Sequence, residues 1–238
     1  MTGLIFNIQR FFPLYLYRTV KGSLFDLDGP KANLVERRSN LTANFITDIS
    51  NRLKMKVITD ENGDLRAAIG TEDIFNYIYA ILYSPTYRIR YAEFLKIDFP
   101  RLPLTSNIGL FRSLCALGDK LVKLHLMNKY GEHTPNYPEL GNNKVEIVEY
   151  NQNADKPEQG RVWINKTQYF EGIPPEIWNF HIGGYQVCQK WLKDRKDRIL
   201  TFDDIKHYQR IVAALAETFT LMANIDEVIE EHGGWPIQ

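Results

Sequence analysis

The sequence predicts a helix-rich α+β fold: a helical N-terminal half, then a C-terminal half with a small antiparallel sheet and a long terminal helix. Three observations predict it. Apolar residues recur at helical spacing in stretches separated by Pro and Gly. Beyond residue 143 the pattern shifts toward alternation. Residues 203–230 carry the clearest helical stripe in the chain.

The elements follow in order. Phe11–Tyr17 is aromatic and contains Pro13, which suits an edge strand or a packed arm better than a helix. Gly22, Gly29 and Pro30 mark a loop. Leu41, Phe45, Ile49 and Leu53 recur every fourth residue and predict a helix. Residues 60–64 form a turn. Thr71 is the expected N-cap of a helix running to about Tyr83, with Glu72 and Asp73 at the positive end of its dipole. Ser84-Pro85 restarts the helix, which must end before Pro100. Phe111, Leu114, Leu117, Leu121 and Leu124 form the stripe of a helix over 106–130.

Residues 131–143 are rich in Gly, Pro and Asn and form the expected join between a helical subdomain, 1–130, and an α+β subdomain, 144–238, of one domain spanning 1–238. Residues 144–150 and 161–165 read as two strands of a hairpin with a long polar loop. Pro174-Pro175-Glu176 opens a short helical turn through Trp178, and Gly183-Gly184 precedes a helix over 185–196. Ile205, Tyr208, Ile211, Leu215, Phe219, Met222, Ile225 and Ile229 then form the core stripe of the last helix.

The composition removes several classes. With 238 residues and 44% apolar content the chain can bury a real core. Two cysteines cannot build a disulfide framework, which suits a reducing compartment, the cytoplasm. The longest apolar runs have seven residues, far short of the roughly 20 that span a bilayer. No signal-peptide pattern opens the sequence. The 29 basic and 29 acidic residues cancel, but unevenly. Residues 84–130 carry eight bases against three acids, and 188–210 carry seven against four. Residues 211–238 hold five acids and no Lys or Arg. A neutral chain segregated in this way can still present a positive face.

The motifs of common chemistries are missing. The sequence has no G-x-G, no P-loop, no Asn-Pro-Pro-Tyr, no Pro-Asp dipeptide and no H-x-x-x-H. Asp204-Ile205-Lys206 is a lone D-x-K, better explained by capping from Asp203 or Asp204 at a helix start. Neither cysteine has the spacing of a zinc ligand. What remains is a set of bases interleaved with aromatics and amides: 87–91, 163–169 and 183–196. Arg and Lys suit phosphates and guanine edges, and Asn and Gln suit adenine edges. Core packing of Trp163 and Trp191 and surface pairing of Arg88 and Arg90 are the structural alternatives.

Residues 77–88 (YIYAILYSPTYR), 91–104 (YAEFLKIDFPRLPL), 182–195 (IGGYQVCQKWLKDR) and 12–16 (FPLYL) together resemble a region of type ISP restriction–modification enzymes and related adenine-N6 DNA methyltransferases. The resemblance touches most of the chain, in order. It implies a C-terminal target recognition domain that reads double-stranded DNA and positions the target adenine for a catalytic core not present in this chain. That core belongs to the same polypeptide or to a separate subunit, and S-adenosylmethionine would be its cofactor; no cofactor, metal or catalytic residue is expected in this chain. The chain lacks the nuclease, helicase-like and methyltransferase modules of full-length members, so it is read as a fragment or a detached product without activity of its own. The residues placed near DNA are Lys166, Lys190, Lys193, Arg195 and Arg198, mainly on phosphates, with Gln168 and Asn165 at base edges and Arg88 and Arg101 as weaker candidates. Two other readings stay open: a protein-interaction module that docks the methyltransferase core, and a compact enzyme whose site is assembled from scattered residues.

Overall fold

The computed structural model describes residues 13–20, 34–59, 62–128, 131, 134–152, 156, 160–182 and 184–238. It is a mixed α+β chain that divides into two compact units. Unit 1 takes the described residues of Met1–Leu82, Tyr87–Gly118 and Val228–Gln238, and unit 2 takes those of Tyr83–Thr86 and Asp119–Glu227. The expected join at 131–143 therefore lies inside unit 2, and the chain's last residues return to unit 1.

In unit 1, strands β1 (Tyr15–Val20) and β2 (Leu34–Ser39) pair antiparallel, with Tyr15 opposite Ser39. β1 bears out the expected strand in part; Phe11, Phe12 and the loop residues Gly22, Gly29 and Pro30 lie outside the described residues. Helix α1 (Ala43–Leu53) is capped by Thr42, whose hydroxyl accepts from the Phe45 N–H at 3.3 Å, and ends on Lys54 in the left-handed region. A parallel pair follows, β3 (Lys56–Ile58) with β4 (Ala68–Gly70). Between them Asp64 accepts from the N–H groups of Arg66, Ala67 and Ala68 at 2.8, 2.8 and 2.9 Å, closing the turn.

Helix α2 (Thr71–Tyr83) begins where the sequence predicts but is capped differently. The Thr71 hydroxyl donates to Thr59 O, and the Asp73 carboxylate reaches back to the Gly70 and Gly63 N–H groups at 2.7 and 2.6 Å. A carboxylate in the first turn takes both the orphan donors and the helix dipole, which a hydroxyl cannot match. Short helices α3 (Pro85–Arg90) and α4 (Ala92–Leu95) follow, and both end before Pro100. Helix α5 (Ile108–His125) is capped by Asn107, which accepts from Gly109 and Leu110 N–H. Gly118 lets α5 pass closely over α2: a Cβ there would lie 1.9 Å from Asn76 O. Ile69, Ile74, Tyr77, Ile81, Phe111 and Leu114 are fully buried, and Tyr77 stacks on Phe111 with centroids 5.0 Å apart. The C-terminal Gln238 carbonyl accepts from Ser106 N and Thr105 Oγ1.

Unit 2 is built on a three-stranded antiparallel sheet, β5 (Glu149–Asn151), β6 (Arg161–Trp163) and β7 (Tyr169–Glu171), in that order. The hairpin of the first two strands agrees with the sequence; β7, Tyr-Phe-Glu, has no apolar–polar alternation and no counterpart among the predicted elements. Residues 144–148 are not in the ladder as expected. Their backbone instead serves several partners, Val145 N–H donating to Arg198 O while Glu146 and Ile147 N–H both donate to Ile164 O. Across the sheet Arg161 faces Glu171, its Nη2 2.6 Å from Oε1.

After α6 (Pro175–Trp178), strands β8 (His181–Ile182) and β9 (Tyr185–Gln186) form a tight hairpin leading into α7 (Val187–Lys193). Tyr185 and Gln186 thus belong to a strand, not to the helix predicted over 185–196. Helix α8 (Phe202–Glu231) agrees with the predicted last helix. Thr201 is its cap: its hydroxyl accepts from Asp204 N–H, while the Asp204 carboxylate accepts from Thr201 N–H. The core of unit 2 gathers Val145, Val162, Ile164, Phe170, Ile173, Cys188, Leu192, Tyr208 and Val212.

Candidate nucleic-acid interface

The cations singled out by the sequence are divided between the two units. Arg88 and Arg101 lie in unit 1. Arg88 is half-buried and donates from Nε to Leu82 O at 2.6 Å; Arg101 is exposed, with its guanidinium 4.9 Å above the Phe94 ring. The others lie in unit 2 and are described together.

The segment 142–146 links two of the predicted patches. On one side the Asn165 side chain donates to Lys144 O at 3.1 Å, and Asn143 N–H donates to Gln168 Oε1 at 2.8 Å. On the other, Val145 N–H donates to Arg198 O, Asp197 N–H to Val145 O and Leu200 N–H to Asn143 O. The turn holding Lys166 and the turn holding Arg198 are thus laced to the same short segment. Both side chains are exposed, and neither has an internal partner among the described residues. Between them Lys196 donates from Nζ to Glu146 O at 2.7 Å.

Helix α7 carries the next cations outward. Lys190 is held by Asp194 at 2.8 Å, and that bond raises its already high pKa, so it stays charged. Lys193 donates to Gln189 Oε1 at 2.8 Å. Arg195 is half-buried: its guanidinium lies 3.5 Å from the centre of the Trp191 ring and donates to Trp191 O, with Asp204 at 3.5 Å. The Asp204 carboxyl is held below its ordinary pKa, first by the Thr201 N–H, then by the Thr201 hydroxyl, with Arg195 a smaller cause. Arg195 is therefore stacked and oriented, with part of its fork already used.

Lys206 and Arg210, which the sequence did not place near DNA, complete this surface. A cleft of about 570 Å³ is lined by Arg195, Phe202, Lys206, His207 and Arg210, together with Asp203 and Asp204. Lys206 and Arg210 are one helical turn apart on the polar face of α8, opposite the apolar stripe. Their i, i+4 spacing was the available signal. A larger cleft, about 740 Å³, is lined by Lys120, Gly131, Gly172, Ala213 and Leu221 among others, and shares no residue with this surface. Its Lys123 is paired with Asp119 at 2.6 Å.

Two expectations are corrected. Asn165 and Gln168, placed at base edges by the sequence, are only 4% and 0% exposed. Every polar atom of the Gln168 side chain is engaged: Oε1 accepts from Asn143 N and Asn165 Nδ2, and Nε2 donates to Glu139 O and Asn143 Oδ1. Asn165 Oδ1 accepts from Thr167 and Gln168 N–H. An amide satisfied in this way inside the protein has nothing left to offer a base, and leaving these groups unpaired would cost more than a single base contact returns. Their role is to shape the turn that presents Lys166. Trp191 is half-buried against the core, in keeping with the packing alternative.

Among the described residues no cluster of His, Cys, Asp and Glu could hold a metal, and no helix is long and apolar enough to cross a membrane. Cys188 is buried, which pushes its thiol up to about 12, so it is inert at neutral pH.

Comparison with known proteins now adds to this geometry. No curated protein matches the chain significantly. Two solved structures share its fold. One is described as an ATP-dependent Type ISP restriction-modification enzyme, LlaBIII, bound to DNA: TM-score 0.56, 21% identity, covering 95% of this chain and 14% of that one. The other is a DrdV–DNA complex: TM-score 0.53, 21% identity, covering 81% of this chain and 20% of that one. The chain thus spans a fifth or less of the length of the proteins it resembles. The family model for the Type ISP C-terminal specificity domain matches residues 4–224, nearly the whole length. The chain belongs to the Type ISP C-terminal specificity domain family.

Proposed function

We propose that this specificity domain recognises DNA sequence for a restriction–modification enzyme by laying the cationic surface of unit 2 against double-stranded DNA. The observation that carries this reading is the pairing of Lys166 and Arg198. They are exposed, without internal partners among the described residues, and presented by two turns fastened to the same segment. Lys190, Lys193 and Arg195 on and after α7, with Lys206 and Arg210 on α8, extend the surface. Lys side chains hold phosphates as point charges. Arg198, with a whole guanidinium fork available, is the best suited to a guanine edge. Both structural relatives are complexes with DNA, and the family is one of specificity domains. In this reading a methyltransferase core, in the same polypeptide or as a separate subunit, binds S-adenosylmethionine and methylates the adenine that this domain positions. The work takes place in the cytoplasm, where that DNA is found.

The test is a salt series of duplex binding followed by fluorescence anisotropy. Affinity should fall with a log–log slope of about 0.9 per phosphate neutralised. Lys166→Glu with Arg198→Glu should weaken binding and flatten the slope. Binding that ignores both salt and these substitutions would overturn the proposal.

A second reading rests on unit 1. Ile89, Ile97 and Phe99 are large, apolar and exposed. Such a surface suits docking to the methyltransferase core. Ile97→Ser should weaken assembly and spare DNA binding; lost DNA binding with intact assembly would count against it.

A further inference from the structure

The β8–β9 hairpin is not explained by its own packing. Ile182 and Tyr185 are direct partners in the antiparallel pair, so both side chains stand on the same face. They are 46% and 58% exposed. The base of the hairpin is firmly rooted. Gln186 donates from Nε2 to Trp178 O at 2.6 Å, Val187 N–H donates to Phe180 O at 3.2 Å, and the Phe180 ring meets Phe219 edge-on at 5.1 Å. At the tip, a Cβ on Gly184 would meet nothing within 4 Å, so no crowding inside the chain requires a glycine there. Gly184 leaves open space at the tip for an approaching surface.

Charge identifies the approaching surface. Lys190 Nζ sits 5.3 Å above the Tyr185 ring, and Lys190 and Lys193 are both exposed one and two turns along the helix that the hairpin enters. Residues 181–196 contain Lys190, Lys193, Arg195, Lys196 and His181 against the single acid Asp194. An apolar pair on a rigid stem, flanked by cations, matches a duplex.

We propose that Ile182 and Tyr185 form a wedge that inserts at a base step of the bound duplex and partly unstacks it; this rests on the DNA-recognition reading above. Such insertion favours sequence steps that unstack easily, pyrimidine–purine steps above all, so the wedge adds specificity without a hydrogen bond to any base. Tyr185 supplies the stacking face, and Ile182 fills the space beside it.

The experiment uses the 238-residue chain and a pool of duplexes with a randomised centre. Wild type should enrich a motif containing a pyrimidine–purine step, and 2-aminopurine placed at that step should brighten on binding. Tyr185→Ala and Ile182→Ala should each lower affinity for the enriched duplex, Tyr185→Ala by about tenfold, and abolish the brightening. The salt slope should not change, because phosphate contacts remain. Tyr185→Phe should behave as wild type. Both sites being exposed, thermal melting should be unaffected. If the double alanine variant keeps affinity and brightening while Lys190→Glu with Lys193→Glu abolishes binding, the wedge is overturned and the DNA reading stands. If the double alanine variant keeps both but no longer associates with a methyltransferase core, the tip is a protein contact and the wedge is again overturned. If wild type binds no duplex in the pool even at low salt, both proposals fall.

Discussion

Asn165 Nδ2 donates to Gln168 Oε1 across 2.9 Å, with both side chains buried. The same Gln168 oxygen accepts from Asn143 N–H, and a Cβ on neighbouring Gly141 would lie 2.6 Å from the Gln168 carboxamide carbon. The amide pair therefore fills a slot with no slack, closing the 164–168 turn against 139–143. Lys166, between them in sequence, is presented outward by two residues that face inward.

Removing one partner should loosen this turn and lower stability without changing which base is preferred. Gln168→Ala removes the partners of Asn143 N–H and Glu139 O and should cost about 2–3 kcal/mol in urea denaturation. Specificity on a panel of duplexes should be unchanged for the protein that remains folded. A stable Gln168→Ala chain with altered base preference would reverse the assignment.

Gly118 makes a sharper claim about unit 1. With Asn76 O only 1.9 Å from a Cβ at that position, Gly118→Ala must move α5 away from α2. The overpacking should lower stability by about 1–3 kcal/mol. Gly184→Ala, whose Cβ meets nothing, should leave the melting temperature in place.

Asp226 anchors the start of α3 within unit 2. Its carboxylate accepts from Ser84 Oγ, from Thr86 Oγ1 at 2.6 Å and from Thr86 N–H at 2.9 Å. Asp226→Ala should cost about 2 kcal/mol, since bonds to a charged acceptor are the stronger kind. Hydrogen exchange at the Thr86 amide should quicken with it.

The 62–68 turn should be acid-labile. The Ala68, Arg66 and Ala67 N–H groups hold the Asp64 carboxyl at about 2, below its ordinary 3.8. A depressed pKa means the folded state favours the charged form. The stabilisation is therefore fully present above the ordinary value of 3.8 and is lost as pH falls toward about 2. Asp64→Ala should be less stable than wild type at neutral pH, and the gap between their melting temperatures should close across that window.

The helices were legible because each carries its own signal. In α8 the apolar stripe and the Thr201–Asp204 cap lie within a few residues of one another, so local reading suffices. Two short strands were not. β7 reads Tyr-Phe-Glu, with no alternation, and β9 has only two residues; both exist because a partner strand supplies their hydrogen bonds. The same division runs through the site. Which segments carry positive charge is a property of composition, and 188–210 was found that way.

By itself the sequence determined the class of element at most positions, the excess of charge along particular segments, and the family to which the chain belongs. Tertiary structure alone decided which polar side chains face water. Asn165 and Lys166 are adjacent in the chain, yet one is consumed by internal hydrogen bonds and the other is exposed. The physical reason is that an amide side chain suits a base edge and a buried backbone group equally well. Its fate depends on which donors and acceptors the fold brings within reach, and here Thr167 and Gln168 supply some while Asn143 and Lys144, from a distant segment, supply the rest.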